Sequence, residues 1–319
     1  MEEKILKLFR KNEDGYLSGE EISDKLGVSR SAVWKHIEKL RGLGYEFDAV
    51  PHLGYRIRKK PDKLYAFELE AILKNHVIGK RVLYYDTISS TNTTAYDLAK
   101  KGFKEGTTII AEGQSKGRGR LAREWSSPKQ KGIYLSIILR PNLLPYQAPK
   151  ITLITAVSIC EAIRGYCGAE VLIKWPNDIL LNNKKVAGIL TEMEAEQDSI
   201  NFLILGIGIN VNTRISELPK GASSISEEAG DNILRIELLK VILETFEQNY
   251  ATFKREGFSP FRHRWKNLSA TLGRRVRATC MHRKIEGEAV DIDSDGALKI
   301  RLDTGFHEKV VAGDVMLLR

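Results

Sequence analysis

Apolar residues in the first 60 positions recur at the spacing of one buried helix face, and this pattern predicts three short helices. The second helix opens at Ser18, because Ser18 followed three positions later by Glu21 forms a capping-box pattern. Gly27 ends that helix. The third helix is predicted over residues 30–41, with Ser29 as its N-terminal cap.

Two helices joined by a glycine-containing turn are typical of a helix-turn-helix, and strand-like stretches at 45–50 and 54–58 predict a wing behind it. Residues 23–60 hold nine Lys and Arg against four Asp and Glu, which suits the phosphates of DNA. A helical appendage whose charges are only solvated is the alternative. The predicted DNA contacts are Ser29, Arg30, Ser31, Trp34, Lys35 and Lys39.

After a linker at 59–62, the pattern changes to strands and longer helices. The predicted strands are 81–86, 107–112, 133–140, 171–174, 179–181, 186–192 and 202–210. The predicted helices are 89–101, 147–166 and 233–253. Paired strands with short turns and flanking helices indicate a mixed or mainly antiparallel sheet.

The last 50 residues show short alternating runs between turn signals at 294–296 and 303–305, and they predict a small β-barrel. The fold class is therefore α+β. We expect three domains, at 1–63, 64–268 and 269–319.

The composition is that of a globular protein, with 42% hydrophobic and 29% charged residues over 319 positions. The net charge of +9 favours anionic partners such as nucleic acid or nucleotides, although a basic enzyme without such a partner has the same charge. The three cysteines have no metal-ligand spacing, and their odd number favours a reducing compartment. No apolar run reaches the length of a signal peptide or a membrane span. We therefore expect a cytoplasmic protein with no membrane partner, and we assign no metal-ligating residue.

The segment with the clearest chemistry is residues 113–131, which we call the glycine–arginine loop. It contains three glycines and six Lys or Arg against one acid. Glycine lets the backbone approach a ligand closely, and arginine offers forked donors that suit phosphate and carboxylate. A flexible RNA-binding segment is the alternative for this loop alone.

A second motif, Lys174-Trp175-Pro176-Asn177-Asp178, follows about fifty residues later, and Lys185 comes soon after it. Alone, this stretch is also compatible with an ordinary turn after a strand. Because the two motifs occur in order with a third at 185–192, we predict a pocket that holds a polyanion and supports chemistry beside it.

The order of the motifs resembles that of the biotin protein ligases. The matching segments are Ser90-Thr91-Asn92, Gln114 with Gly117-Arg118-Gly119-Arg120, Lys174 to Asp178, Lys185 to Leu190, and Gly206 to Asn210. With the N-terminal winged helix, the chain resembles the bifunctional type, which is both a ligase and a repressor of biotin genes. The resemblance covers all three segments and implies an SH3-like C-terminal barrel.

The resemblance implies a two-step reaction. Biotin and Mg²⁺·ATP give biotinyl-5′-AMP and pyrophosphate, and the adenylate then passes biotin to a lysine of the biotin carboxyl carrier protein of acetyl-CoA carboxylase. A carboxylate that attacks a phosphate accumulates negative charge, which fixed cations must stabilise. The implied catalytic residues are Lys185, Arg120, Asp178 and Arg118.

The implied roles differ among these residues. Lys185 faces the biotin carboxylate and the α-phosphate, Arg120 closes over the adenylate, and Arg118 assists. Asp178 orients or deprotonates the incoming lysine, or helps to hold Mg²⁺, and these alternatives stay open. The implied cofactor-binding residues are Ser90, Thr91, Asn92, Gln114, Gly117, Arg118, Gly119, Arg120, Lys185, Gly188, Gly208 and Asn210.

Within that set, Ser90, Thr91 and Gln114 are expected to bind the ureido ring of biotin, and Asn92 is expected to order the start of its helix. The aromatic residue expected to stack on adenine is absent near Ser223. Expected partners are the carrier protein, operator DNA and a second copy of the chain once biotinyl-5′-AMP is bound. A ligase with a purely structural winged helix, a non-catalytic biotin-sensing regulator and a lipoate ligase are the alternatives.

Overall fold

The structure is a computed structural model that describes residues 1–12, 15–73, 76–280 and 283–318. The chain divides into two compact units, residues 1–63 and 64–319. The predicted boundary at residue 268 falls inside the second unit and stays a prediction.

The first unit has the predicted helix-turn-helix and wing. Its elements are α1 (Glu2–Lys11), α2 (Gly19–Leu26), α3 (Arg30–Gly42), β1 (Glu46–Val50) and β2 (Gly54–Lys59). Both hydrogen bonds of the capping box join Ser18 and Glu21, and Gly27 ends α2 in the left-handed conformation at a φ of 65°. Strands β1 and β2 pair antiparallel as the wing.

The helices of the second unit continue the numbering. They are α4 (Ala66–Ile72), α5 (Thr91–Lys100), α6 (Pro149–Cys167), α7 (Ile225–Ala229), α8 (Arg235–Glu256) and α9 (Ser259–Asn267). The predicted helices correspond to α5, α6 and α8. Short 3₁₀ turns lie at Arg120–Ala122, Pro145–Gln147 and Ile215–Glu217.

A seven-stranded sheet forms the centre of the second unit. Its strands are β3 (Val82–Tyr85), β4 (Thr108–Ala111), β5 (Gly132–Leu139), β6 (Val171–Lys174), β7 (Asp178–Leu181), β8 (Lys184–Ala195) and β9 (Ile200–Asn210). They lie in the order β3-β4-β5-β9-β8-β7-β6. Only β3 and β4 pair in parallel among these strands, so the predicted mixed, mainly antiparallel sheet is confirmed.

The last five strands form a separate antiparallel sheet, which we call the C-terminal sheet. They are β10 (Arg275–Cys280), β11 (Arg283–Ile292), β12 (Leu298–Arg301), β13 (His307–Val310) and β14 (Asp314–Leu317), in the order β13-β12-β11-β10-β14. Their apolar residues join the same buried core as the central sheet.

Trp175 connects the two sheets of the second unit. Its indole Nε1 donates to the carbonyl oxygen of Gly296 at 3.0 Å, and its backbone N–H donates to Thr271 Oγ1 at 2.9 Å. Trp175 is 2% exposed and Thr271 is fully buried. The strand end that carries the Lys174 to Asp178 motif is therefore held in place by the C-terminal segment.

A buried ion pair and its hydrogen bonds to the backbone hold the start of the glycine–arginine loop in place. Glu112, which precedes the loop, and Arg235 on α8 form an ion pair at 2.8 Å with neither side chain exposed to solvent. Glu112 also accepts from the backbone N–H of Leu64, and Arg235 donates to the carbonyl of Gly132.

Of the helices described, none combines the length and apolar character needed to cross a bilayer.

Candidate functional site

A cavity of about 1400 Å³ opens in the second unit, between the central sheet, the glycine–arginine loop and the C-terminal sheet. The residues that line it come from many separate stretches of the chain. They include Ser90 to Asn92, residues 118–126, residues 174–178, Lys185 and Gly188, and Asn210. The sequence motifs that lie far apart along the chain therefore meet around one space.

The glycine–arginine loop folds back on itself over this cavity. The backbone N–H of Trp125 donates to the carbonyl of Gly117 at 2.9 Å, and that of Gly119 donates to the carbonyl of Arg123 at 2.7 Å. At the tip, Leu121 and Ala122 have φ angles of 53° and 56°. These non-glycine residues thus adopt the left-handed conformation that glycine adopts most easily.

Three arginines tether the loop to three different places. Arg118 Nη2 lies 3.1 Å from both carboxylate oxygens of Glu192 on β8. Arg120 Nη1 donates to Asn177 Oδ1 at 3.2 Å. Arg123 pairs with Asp314 of the C-terminal sheet. Arg118 and Arg120 both line the cavity, as predicted, but Arg118 is held in an ion pair.

Lys185 lies at the centre of the cationic side of the cavity. Its Nζ is 2.6 Å from Asp178 Oδ1 and 5.2 Å from the centroid of the Trp125 ring. Lys174 Nζ is 3.8 Å from the other oxygen of Asp178. Two ammonium groups thus surround one carboxylate, and the three groups together have a formal charge of +1.

A network of neutral groups forms another part of the cavity wall, which we call the neutral end. Gln114 Oε1 accepts from the backbone N–H of Thr91 at 2.8 Å and from its hydroxyl at 3.1 Å. Ser136, which the sequence analysis did not single out, lies 2.8 Å from the Thr91 hydroxyl. Ser90 is the N-cap residue of α5 but makes no side-chain capping bond. Neutral donors and acceptors with fixed orientation are suited to an uncharged polar ligand group.

Asn92 lies in the first turn of α5, and its expected role of ordering the start of this helix stays a prediction. Its side chain is buried, accepts from Ser136 Oγ at 2.6 Å and donates to Glu192 at 2.7 Å. A Cβ atom on Gly206 would lie only 2.0 Å from Asn92 Oδ1. Gly206 is therefore required so that the Asn92 side chain can fit against β9.

Trp125 is the main site residue that the sequence analysis missed. Its ring lies on the paired glycines of β8 and β9, and a Cβ atom on Gly208 would lie 2.6 Å from the indole. Gly188 contacts the same ring. Gly188 and Gly208 allow the indole of Trp125 to approach the backbone closely, and their assignment to cofactor binding stays a prediction. Gly117 is not among the residues that line the cavity and packs against the carbonyl of Trp125, whereas Gly119 lines it.

Two polar atoms in the cavity lack partners within the described residues. The buried Trp125 Nε1 has no acceptor, and Asn210 Oδ1 has no donor, although Asn210 Nδ2 donates to the carbonyl of Ser223 at 3.0 Å. Asn210 is 3% exposed. Buried polar groups are seldom left unsatisfied, so both atoms are suited to partners on a ligand. No sequence motif within residues 113–125 marked Trp125 as a site residue.

The first unit presents a second candidate site, on α3. Ser31, Trp34 and Lys35 are exposed on one face, and Trp34 is 53% exposed. Ser29 caps the helix, with its side chain accepting from the backbone N–H of Ala32. This face suits the major groove of DNA, into which such helices dock.

Two of the predicted DNA contacts are engaged in ion pairs. Arg30 pairs with Glu20 on α2, and Lys39 Nζ lies 2.8 Å from Glu2 on α1. The hydrogen bond from Lys39 lowers the pKa of the Glu2 carboxyl to about 2. Both side chains remain largely exposed, at 66% for Arg30 and 68% for Lys39, so these pairs leave donors available for phosphate.

Comparison with family models matches each part of the chain. Residues 84–210 match the biotin/lipoate A/B protein ligase family, residues 2–56 match an HTH domain, and residues 271–318 match the biotin protein ligase C terminal domain. The expected order of a helix-turn-helix, a ligase domain and a C-terminal domain is thereby confirmed.

Known relatives match almost from end to end. The bifunctional ligase/repressor BirA of Bacillus subtilis (strain 168) is 41% identical over 98% of this chain and 97% of its own length. The Escherichia coli (strain K12) protein of the same name is 32% identical over 98% of this chain and 96% of its own length.

Among solved structures, the biotin protein ligase from Aquifex aeolicus in complex with biotin and ATP superposes with a TM-score of 0.65. It is 31% identical and covers 75% of this chain and 99% of its own. The full-length agreement, the cavity and the helix-turn-helix lead to one conclusion: the chain belongs to the bifunctional ligase/repressor group of the biotin/lipoate A/B protein ligase family.

Proposed function

We propose that the protein is a biotin–[acetyl-CoA-carboxylase] ligase and a biotin-responsive repressor. In the first step, a biotin carboxylate oxygen attacks the α-phosphorus of ATP, and the bond to the pyrophosphate oxygen breaks. In the second step, a carrier lysine attacks the carbonyl carbon of the adenylate, its proton leaves, and AMP departs with the bonding electrons. The observation that carries this proposal is the meeting of Lys185, the loop arginines and a neutral polar pocket around one cavity.

Lys185 is proposed to stabilise the charge that develops between the carboxylate and the α-phosphate. It is the cation next to both Trp125 and Asp178, and it comes from a rigid strand. Fixed charge of this kind acts without reorganisation during the reaction. Asp178, in turn, holds Lys185 in place and is positioned to accept a proton from the incoming lysine once a ligand draws Lys185 away.

The neutral end is proposed to bind the ureido ring, through Ser90, Thr91 and Gln114. Asn210 Oδ1 is proposed to accept a hydrogen bond from the amino group of adenine, which would satisfy an oxygen that is otherwise unpartnered among the described residues. Trp125 is proposed to supply the apolar, aromatic surface between the two ends. Mg²⁺ accompanies the ATP phosphates and neutralises part of their charge.

The glycine–arginine loop is proposed to become ordered by the ligand. It has six like charges and few apolar anchors, and Leu121 at its tip is 71% exposed. Segments with so few buried contacts open at little cost in free energy. Protection of residues 113–131 from protease by biotin plus ATP is expected, and equal cleavage with and without both ligands would contradict this part.

The direct test of catalysis is incubation with labelled biotin, Mg²⁺·ATP and a biotin carboxyl carrier domain. Label on the carrier lysine, and pyrophosphate release that depends on biotin, are the expected results. Pyrophosphate release that depends on lipoate instead would identify a lipoate ligase, which is the alternative for the substrate. Binding of biotin without pyrophosphate release would identify a non-catalytic regulator.

Repression is proposed to act through α3, with Trp34 and Lys35 in the major groove of operator DNA. A single winged helix makes few phosphate contacts, so residues 1–63 alone should bind weakly and with strong salt dependence. A dimer presents two such helices to two half-sites and binds far better. DNA and ATP as partners support a cytoplasmic location.

The dimer is proposed to form when biotinyl-5′-AMP is bound. From Leu190 to Ala195, β8 pairs with β9 alone in the described part of the chain, so one backbone edge is open. An open edge of this kind can pair with a second copy. Reciprocal linkage then requires that DNA raise the affinity for the adenylate by the factor by which the adenylate raises the affinity for DNA.

The test of repression is a DNA titration on wild type, Arg30→Ala and the control Lys7→Ala, each with and without biotin and ATP. Lys7 lies on α1 and pairs with Glu3 of the same helix. The proposal expects ligand to strengthen DNA binding, Arg30→Ala to weaken it and Lys7→Ala to leave it unchanged. DNA binding that changes neither with ligand nor with Arg30→Ala would refute the repressor and leave a ligase whose winged helix is only structural.

A further inference from the structure

Glu192 joins two parts of the site that the sequence motifs treat separately. Its carboxylate accepts from Asn92 Nδ2 at 2.7 Å and lies 3.1 Å, through both oxygens, from Arg118 Nη2. Asn92 belongs to the neutral pocket on α5, and Arg118 belongs to the glycine–arginine loop. Glu192 itself lies on β8, in the stretch whose outer edge is open.

We propose that Glu192 is a positioning residue that anchors the glycine–arginine loop to the neutral pocket through Arg118. The inference rests on the proposed ligase function only for its kinetic consequence. Glu192 need not touch either substrate in this role. It acts by fixing Arg118, and with it the half of the loop that precedes the tip.

The surrounding contacts explain why a carboxylate is needed at this position. Asn92 Oδ1 is occupied by Ser136, and the Asn92 side chain is closed in by Gly206. The Asn92 amide N–H is therefore directed at position 192 and requires an acceptor there. A carboxylate accepts that hydrogen bond and also forms an ion pair with the arginine, whereas a neutral amide oxygen can accept hydrogen bonds but carries no charge to pair with Arg118.

The part of the loop before its tip depends on such polar tethers, because the main apolar anchor of the loop, Trp125, follows the tip. Its tip is exposed, and two non-glycine residues there adopt the left-handed conformation. The side chains of Arg118 and Glu192 are 46% and 31% exposed, so the pair is only partly screened by solvent. Loss of the charge at position 192 should therefore increase opening of the loop by about fivefold.

Glu194 provides a matched control. It lies two positions further along the same face of β8 and contacts the same helix, with its carboxylate 3.0 Å from Tyr96 Oη and 3.7 Å from Lys100 Nζ. It makes none of the contacts to Arg118 or Asn92. Glu194→Gln thus changes an equivalent strand-to-helix contact without changing the loop tether.

The experiment is limited trypsin digestion of the full-length protein without ligand, followed after Arg120 and Arg123. Glu192→Gln keeps the acceptor for Asn92, and we expect it to be cleaved about fivefold faster than wild type, with Glu194→Gln unchanged. Arg118→Gln should be cleaved as fast as Glu192→Gln, and the double variant no faster than either, since the two residues act through one contact.

The kinetic arm measures adenylation by Glu192→Gln. A positioning role predicts that KM for biotin and ATP rises several-fold while kcat changes less, because the cost falls on ordering the loop before the chemical step. If Glu192→Gln does not fold, Arg118→Gln alone must give the faster cleavage. Wild-type cleavage rates in Glu192→Gln or Arg118→Gln, or equal acceleration in Glu194→Gln, would overturn the proposal. Absence of adenylation in wild type would instead refute the ligase, because the digestion uses no substrate.

Discussion

Replacing Lys185 by alanine is expected to slow adenylation by about 10²-fold to 10³-fold while leaving the fold intact. A unit charge about 4 Å from developing negative charge contributes about 4 kcal/mol at the effective dielectric of a protein surface, which corresponds to a factor of about 10³. The Lys185 side chain is 33% exposed, and Lys174 remains beside Asp178. Both facts reduce the effect, so we expect a loss near the lower limit of about 10².

The fold should tolerate this change because Asp178 keeps a cation within 3.8 Å. Loss of a partly exposed ion pair costs at most about 1 kcal/mol of stability. Lys184→Ala is the matched control, because the neighbouring Lys184 is directed to Glu228 at 2.8 Å and not to the cavity. It should change adenylation by no more than about twofold.

The assay is biotin-dependent release of pyrophosphate, with the thermal unfolding midpoint measured for each variant. A folded Lys185→Ala protein that turns over within about fivefold of wild type would refute the reasoning, since the expected loss is about 10²-fold or more. An equal loss of adenylation rate in Lys184→Ala and Lys185→Ala would also refute it, because the effect would then not depend on whether the lysine lines the cavity.

Three further predictions concern stability and ligand contacts. Arg235→Leu should lower the free energy of unfolding by about 3–5 kcal/mol in urea, because it leaves the buried Glu112 unpaired, while the exposed control Arg255→Leu should change it little. Hydrogen bonding from Lys184 lowers the pKa of Glu228 from 4.5 to about 2, so its stabilisation is present above pH 4.5 and lost as pH falls toward 2. Glu228→Gln should flatten the dependence of stability on pH in that window, and an unchanged slope would exclude the contact as its source. Asn210→Ala should raise KM for ATP by about tenfold and leave KM for biotin unchanged; equal changes in both would argue against an adenine contact.

The sequence predicted the local elements well where local rules determine them. The capping box at Ser18 and the left-handed end at Gly27 depend on nearest neighbours in the chain, and both are present. The paired asparagines at 182 and 183 have φ angles of 50° and 61° and form the tight turn between β7 and β8, in the left-handed region that asparagine tolerates well. These features require no knowledge of distant contacts.

What the sequence could not supply is the identity of partners across the fold. The sequence analysis assigned Asn92 a role at the start of its helix, but it held no sign that the Asn92 amide N–H donates to Glu192, 100 positions away. Trp125 has no motif of its own, and its place on Gly208 follows only from the pairing of β8 with β9. The residues assigned to ligands from the resemblance remain predictions, although most of them line one cavity.

The anchoring of Trp175 by the C-terminal segment also limits where the chain can be truncated. A chain cut near residue 268 would lose the hydroxyl and carbonyl that bind this tryptophan, and it would expose the indole together with Leu153, which packs against Gly296. The C-terminal sheet therefore cannot be removed without disturbing the central sheet, although it matches a family model of its own. Expression of a shorter enzyme should begin after the winged helix and keep the whole C-terminal sheet. Substitutions on the inner side of the C-terminal sheet are expected to give variants that fold but lose activity, because they shift Trp175 without touching the ligands.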